Sequence, residues 1–263
     1  MDLGIKGKVA VVTASSKGLG RAVTEALAAE GVNLAICSRN EEQILTAAKN
    51  IRAEYNVEVL PVICDVTKQD DIEKLKKRVI KMYGTCHILF TNSGGPAAGK
   101  LDNFSSKDFQ TAIDLNLMST INLVYTFLPF MKKQKWGRII ASTSSNIRRL
   151  LPQFPLSNVS RNSVVAFIKT VALEVAHLGI TANILAPGWF LTDPTKEFIE
   201  NKAKEESVSY NEMLTKVSST IPSKIIGNPK DFGALAAYLT SVQASYITGE
   251  TFLIDGGVDG SVI

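Results

Sequence analysis

Seven short apolar runs rich in β-branched residues alternate along this chain with stretches whose apolar residues fall three and four positions apart. The runs are VAVVT (9–13), NLAIC (33–37), VEVLPVI (57–63), HILF (87–90), RIIAS (138–142), ITANILA (180–186) and TFLID (251–255). Continuous apolar strands of this kind are the ones buried on both faces of a sheet. Between them, GRAVTEALAAEG, EEQILTAAKNIRAEY, DIEKLKKRVIKMYG, DFQTAIDLNLMSTINLVYTFLPFMKK and NSVVAFIKTVALEVAHLG each carry an apolar stripe, as surface helices do. The alternation predicts an α/β fold, a doubly wound parallel seven-stranded sheet with helices on both faces. A chain of 263 residues that is 45% hydrophobic can bury one sizeable core, so a single domain over residues 1–263 is expected.

One region breaks the alternation. From Trp189 to about Ile226 the sequence, including TKEFIENKAKEESVSYNEMLTKVSSTIP, is polar and helical in pattern and ends at a proline. Doubly wound sheets bind ligands beyond the carboxyl ends of their strands, so an insertion after a late strand is expected to form a substrate lid over 189–226.

Composition narrows the class. The net charge of +4 arises from 29 basic and 25 acidic residues spread along the chain. The densest basic cluster, Lys74 to Arg78, falls in a helical pattern and reads as a solvated helix face rather than a nucleic-acid site. Three cysteines, an odd number, argue against a secreted disulfide framework. No apolar run reaches the roughly 20 residues needed to span a bilayer, and MDLGIKGKVAVVTA lacks the pattern of a signal peptide. A soluble cytoplasmic protein with no metal site and no nucleic-acid or membrane partner is expected.

Directly after the first strand comes TASSKGLGRAV, in which Gly18 and Gly20 open a helix. Backbone N–H groups and the helix dipole at such a start attract anions, and missing side chains let a pyrophosphate approach. Thr13, Ser15, Ser16, Lys17, Gly18, Leu19 and Gly20 are therefore expected to form a dinucleotide-binding loop. The second strand ends in CSRN. Binders of the non-phosphorylated cofactor usually place a carboxylate there for the ribose 2′-hydroxyl, whereas arginine accommodates a 2′-phosphate. Ser38 and Arg39, with Lys17 in the loop, favour NADP(H) over NAD(H).

TASSKGLG, CDV (64–66), TNSGG (91–95), Asn116 in DLNLMS, STSS (142–145), PGWFLT (187–192) and ITGETFLIDGG (247–257) stand in this order along the chain. As a set they resemble the short-chain dehydrogenase/reductase family over the whole chain. The resemblance implies Asp65 and Val66 against the adenine, Asn92, Ser93 and Gly94 beside the adenosine ribose, and Pro187, Gly188 and Thr192 around the nicotinamide. It also implies a small carbonyl or alcohol substrate and a homodimer or homotetramer, because helices 106–131 and 155–177 resemble the pair such proteins bury between subunits. Two positions depart from the family pattern: Ala14 replaces a loop glycine, and Ser93 replaces an alanine.

A larger departure concerns the chemistry. The family places a polarising serine at the end of the fifth strand, a tyrosine 13 residues on as proton donor, and a lysine four beyond that. Counting from Ser144, those positions hold Ser157 and Arg161. Ser144, Ser157, Arg161 and Asn116 are the candidate catalytic residues, with Arg161 also placed to clamp the nicotinamide ribose hydroxyls or a carboxylate on a substrate. Serine is a poor acid without a neighbouring base, and arginine supplies charge and a fork of donors but relays protons badly. A water held by Ser157, Arg161 and Asn116, or Tyr210 from the lid, are the candidate replacements for the phenol. Two functions follow: an NADP-preferring oxidoreductase, similar to those acting on 3-oxoacyl thioesters, or a catalytically inactive nucleotide binder serving as redox sensor or partner subunit.

Overall fold

All seven apolar runs are strands of one parallel sheet in the computed structural model, which describes residues 1–261. They are β1 (Val9–Val12), β2 (Asn33–Ser38), β3 (Val59–Ile63), β4 (Ile88–Thr91), β5 (Gly137–Ser142), β6 (Ile180–Pro187) and β7 (Thr251–Ile254). The order across the sheet is β3-β2-β1-β4-β5-β6-β7. The expected doubly wound Rossmann-like α/β architecture is therefore present. The chain winds outward from β1 to β3 and restarts at β4 on the other side of β1, which opens a crevice at the carboxyl ends of β1 and β4.

Successive strand residues point to opposite faces and so feed two cores. Val11, Ala35 and Cys37 pack beneath α3 (Gln69–Tyr83), α5 (Ser119–Gln134) and α6 (Pro155–Val175). Ala10, Val12, Leu34 and Ile36 pack beneath α1 (Gly18–Ala29), α2 (Glu41–Tyr55) and α9 (Pro229–Leu239). Helix α9 is too short and too rich in alanine to stand out in the sequence pattern. It lies against α1 so closely that a Cβ on Gly233 would stand 2.5 Å from the carbonyl oxygen of Ala22.

The long apolar stretch after β4 is not one helix. It divides into α4 (Ser106–Ile113), a π turn (Asp114–Met118) and α5. Asn116 falls in the π turn and is 3% exposed, which removes the conflict between an asparagine and a regular helix interior. Helix α6 starts at Pro155, a residue suited to a first helical position.

At the opposite end of the sheet, His87 Nδ1 accepts from the Val9 N–H at 3.1 Å, and its ring meets the edge of Trp136 at 5.9 Å. Burial, with Lys8 nearby, holds its pKa down at about 4. The unfolded chain titrates this group near 6.5, so between those values the unfolded state binds the proton and the native state does not. Stability is therefore expected to be complete above pH 6.5 and to fall as pH drops toward 4, by on the order of 1 kcal/mol between pH 7 and 5 for a half-buried group. Urea midpoints at pH 7.5 and 5.0 should reveal that slope, and His87→Gln should flatten it; an unchanged slope would assign it to other groups.

Candidate functional site

The loop between β1 and α1 shows how glycine and backbone shape the crevice. Helix α1 begins at Gly18 with no side-chain cap and no acidic residue in its first turn, leaving its first N–H groups available to an anion. A Cβ on Gly20 would stand 2.3 Å from the Ala14 carbonyl oxygen, so the helix packs directly on the loop backbone. Thr13 and Ser15, expected in the binding loop, lie behind it. Thr13 Oγ1 donates to Asn92 O at 2.7 Å and accepts from Asn92 N at 2.8 Å. Ser15 Oγ lies 2.9 Å from Val12 O and accepts from Cys37 N at 3.1 Å. Both are fully buried, and their hydroxyls brace the loop against β4 and β2 instead of facing the crevice.

Ala14 adopts φ +47°, a left-handed conformation. A side chain there is strained by about 1 kcal/mol. Ala14→Gly is expected to stabilise the protein by roughly that amount, raising Tm by about 2–4 °C for a domain of this size. Thermal unfolding of the two proteins decides it; a lower Tm in the variant would show the strain to be absorbed elsewhere.

The crevice has a volume of about 720 Å³. Ser16, Lys17, Gly18 and Leu19 line it from the loop, Ser38 and Arg39 from β2, Asp65 and Val66 from β3, Asn92, Ser93 and Gly94 from β4, Arg161 from α6, and Pro187 and Thr192 from β6. Sequence reasoning missed Asn40, Gln43, Leu115 and Thr143, which also line it. Asn40, at the head of α2, is signalled by its place beside Arg39; Leu115 is exposed to the crevice by the π turn and had no signal. Lys17, Arg39 and Arg161 outnumber the single lining carboxylate, Asp65, whose Oδ1 accepts from Thr67 N and Thr67 Oγ1 at 3.1 and 2.8 Å. Uncapped N–H groups and excess cations suit a polyanionic dinucleotide. Among the described residues no cluster of His, Cys, Asp and Glu fits a metal.

Arg161 is 9% exposed. Its Nη1 donates to Thr143 O at 2.8 Å and Ser142 O at 3.4 Å. Among the described residues it has no carboxylate partner, and its Nε and Nη2 have no acceptor. Burial lowers its pKa to about 10, which leaves the guanidinium charged at neutral pH. Ser157 lies one turn earlier on the same face of α6 and is 7% exposed; its hydroxyl has no hydrogen-bond partner among the described residues, and it does not line the crevice.

Ser144 stands between the crevice residues Ser142 and Thr143 and a smaller pocket of about 70 Å³ that includes Ser145, Asn146, Gly188 and Trp189. Its Oγ accepts from Asn146 N at 3.3 Å and donates to no described residue, so its proton is available to a substrate oxygen. Gly188, expected at the crevice, lines the smaller pocket instead. A Cβ there would lie 2.7 Å from Cβ of Asp255, because the turn after β6 runs hard against the end of β7.

Asn116 does not reach the crevice either. Its Nδ2 donates to Ser93 Oγ at 2.7 Å and Gly94 O at 3.3 Å, and its Oδ1 accepts from Ser160 Oγ at 2.8 Å. With its amide satisfied on both sides, it has little left with which to hold a water beside Ser157. Tyr210 is also away from the crevice. It begins α8 (Tyr210–Ser219) and packs with Ile199, Ala203 and Met213 in a small apolar cluster shared with α7 (Asp193–Glu205). The 189–226 segment, helical in pattern, holds these two helices, with Ser207 between them at φ +54°. Its root is tied by Leu191 N to Gly227 O and Gly227 N to Trp189 O, both 2.9 Å.

Residues 13–259 match a family model described as Enoyl-(Acyl carrier protein) reductase. The chain is 31% identical over 254 residues to Dehydrogenase/reductase SDR family member 4 of Bos taurus, covering 96% of this chain and 88% of that protein. It is 31% identical over 256 residues to the NADPH-dependent reductase BacG of Bacillus subtilis, covering 95% and 97% respectively. The crystal structure of L-sorbose reductase from Gluconobacter frateurii, complexed with NADPH and L-sorbose, superposes with a TM-score of 0.96 at 28% identity over the full length of both chains.

Proposed function

The chain belongs to the short-chain dehydrogenase/reductase family and is an NAD(P)-dependent oxidoreductase of alcohol and carbonyl groups; from that premise we propose that it prefers NADP(H) and reduces a carbonyl without a phenolic proton donor. The observation that carries the preference is the end of β2. Arg39 and Lys17 both line the crevice there, and no carboxylate stands at Ser38–Asn40 to accept from a ribose 2′-hydroxyl. The names of BacG and of the sorbose reductase complex, both NADPH proteins, support the same reading.

On this reading the open N–H groups of α1 hold the pyrophosphate, Lys17 and Arg39 flank the 2′-phosphate, and Asp65 and Val66 border the adenine. The free donors of Arg161 hold the nicotinamide ribose. A nicotinamide bound there would supply the hydride. Ser144 donates its hydroxyl proton as a hydrogen bond to the substrate carbonyl oxygen, and Arg161 adds positive field from a buried position. The proton that completes the alcohol comes from solvent that enters the crevice. Losing a general acid slows such a step by typically 10² to 10⁴, while positioning and polarisation remain. The 189–226 segment serves as the lid, since Thr192 and Pro194 at its root line the crevice. A 3-oxoacyl thioester is the substrate class to try first. The outer faces of α5 and α6, where Tyr125 and Leu173 are 69% and 86% exposed, are the proposed contact between subunits of a homodimer or homotetramer.

The test is NADPH oxidation by the purified protein over a panel of carbonyl compounds, with NADH in parallel and NADPH binding measured first. Turnover with NADPH in preference to NADH supports the proposal. Tight NADPH binding without turnover on any substrate favours a nucleotide-binding sensor or partner subunit. The observation behind that second reading is that no tyrosine among the described residues lines the crevice.

A further inference from the structure

Three polar side chains form a continuous line from the crevice to the helix that carries Arg161. Ser93 lines the crevice, and its Oγ accepts from Asn116 Nδ2 at 2.7 Å. Asn116, in the π turn, accepts through Oδ1 from Ser160 Oγ at 2.8 Å. Ser160 immediately precedes Arg161 and is fully buried. The amide of Asn116 has one workable orientation. A flip would set its Oδ1 against the carbonyl oxygen of Gly94, now 3.3 Å from Nδ2, so the oxygen must face α6. Among the described residues Oδ1 has no other donor. The Ser160 hydroxyl also lies 2.8 Å from Leu156 O, but that carbonyl already sits within the hydrogen-bonding pattern of α6, whereas a buried amide oxygen without its donor is left unsatisfied.

We propose that Ser160 is a positioning residue for Arg161: through Asn116 and Ser93 it ties α6 to the β4 loop, so that the guanidinium is presented to the nicotinamide half of the dinucleotide. The proposal rests on the assignment of Arg161 to that half. Arg161 is otherwise held on its strand side only, by Nη1 at Thr143 O and Ser142 O. One residue of slack in α6 would swing the unpartnered Nε and Nη2 out of place, and nothing else described fixes that turn of the helix to the β4 loop.

The experiment compares the binding of NADPH with that of adenosine 2′,5′-bisphosphate, which lacks the nicotinamide half, in Ser160→Ala, Ser93→Ala, the double variant and Arg161→Met. Ser160→Ala is expected to weaken NADPH about tenfold while leaving adenosine 2′,5′-bisphosphate within about twofold, although Ser160 touches neither ligand. Because both serines act through one asparagine, the double variant should bind NADPH no worse than about twofold below the weaker single. Equal losses for both ligands would show general loosening and overturn the proposal, as would no loss or strictly additive losses. If Ser160→Ala fails to fold, Asn116→Leu breaks the same line at its middle, at a residue that does not line the crevice, and must show the same selective loss. Arg161→Met separates the two levels. If it leaves the contrast between ligands unchanged, the assignment of Arg161 fails; if it shifts that contrast and Ser160→Ala does not, only the positioning role fails.

Discussion

Ser144→Ala is expected to lower kcat by roughly 10² to 10³ with little change in KM, the loss typical when one donor to a developing oxyanion is removed, about 2.7–4 kcal/mol. The hydroxyl of Ser144 accepts one long bond, at 3.3 Å, and donates none to the described residues. Its proton is therefore held in reserve for whatever enters between the crevice and the smaller pocket at Gly188. The same geometry limits the structural penalty. Ser144 heads a turn of only three residues, so losing that cap should shift stability by no more than about 0.5 kcal/mol. Steady-state kinetics beside a thermal melt test both halves. A kcat within threefold of the parent would remove Ser144 from the chemistry, and Arg161 alone would then have to polarise the carbonyl.

Arg161→Met should produce two effects of different size. NADPH affinity is expected to fall by about 10- to 100-fold, since hydrogen bonds to a charged group contribute roughly 1.5–3 kcal/mol. The free protein should barely change, within about 2 kcal/mol in either direction. Methionine removes a buried cation that has no counter-charge among the described residues, which favours the fold, and it deprives Thr143 O and Ser142 O of a donor, which opposes it. Calorimetric binding and an unfolding curve without ligand measure the two quantities independently. A large drop in stability together with unchanged affinity would make Arg161 a structural brace for the end of β5 and leave the nicotinamide ribose without its proposed holder.

How much of this was legible beforehand follows from the range of the interactions involved. The strands announced themselves because a residue such as Ile36 or Ile184 must be apolar wherever a sheet is covered on both faces. The crevice was legible because its lining comes from fixed places, the ends of β1 to β4, so Lys17 and Arg39 could be named from their place after the first two strands, and Asp65 from the family resemblance. What escaped depends on residues distant in the chain. Thr13 and Ser15 have the chemistry to touch a phosphate, and only the folded chain places Asn92 and Cys37 where they engage those hydroxyls first. The π turn is invisible to an apolar periodicity that continues through it. Tyr210 offered a hydroxyl at a plausible distance in sequence, but its ring had better apolar company in Ile199 and Met213. Ser160 had no signal at all, being one serine among several in α6 until Asn116 is brought against it.

The small cluster of α7 and α8 has a consequence for how this protein opens. Its apolar contacts are largely internal, and it is joined to the rest of the fold near its two ends, by the backbone bonds between Trp189–Leu191 and Gly227 and by Ser223 N donating to Gly256 O at 3.0 Å. A unit bounded in this way detaches as one piece at a lower free energy than the sheet beneath it. Its amides should exchange with solvent together and ahead of those of β5 and β6, and the chain on either side can stay native while it does. That segment is thereby free to breathe, and to be rebuilt over time, without disturbing the sheet beneath it.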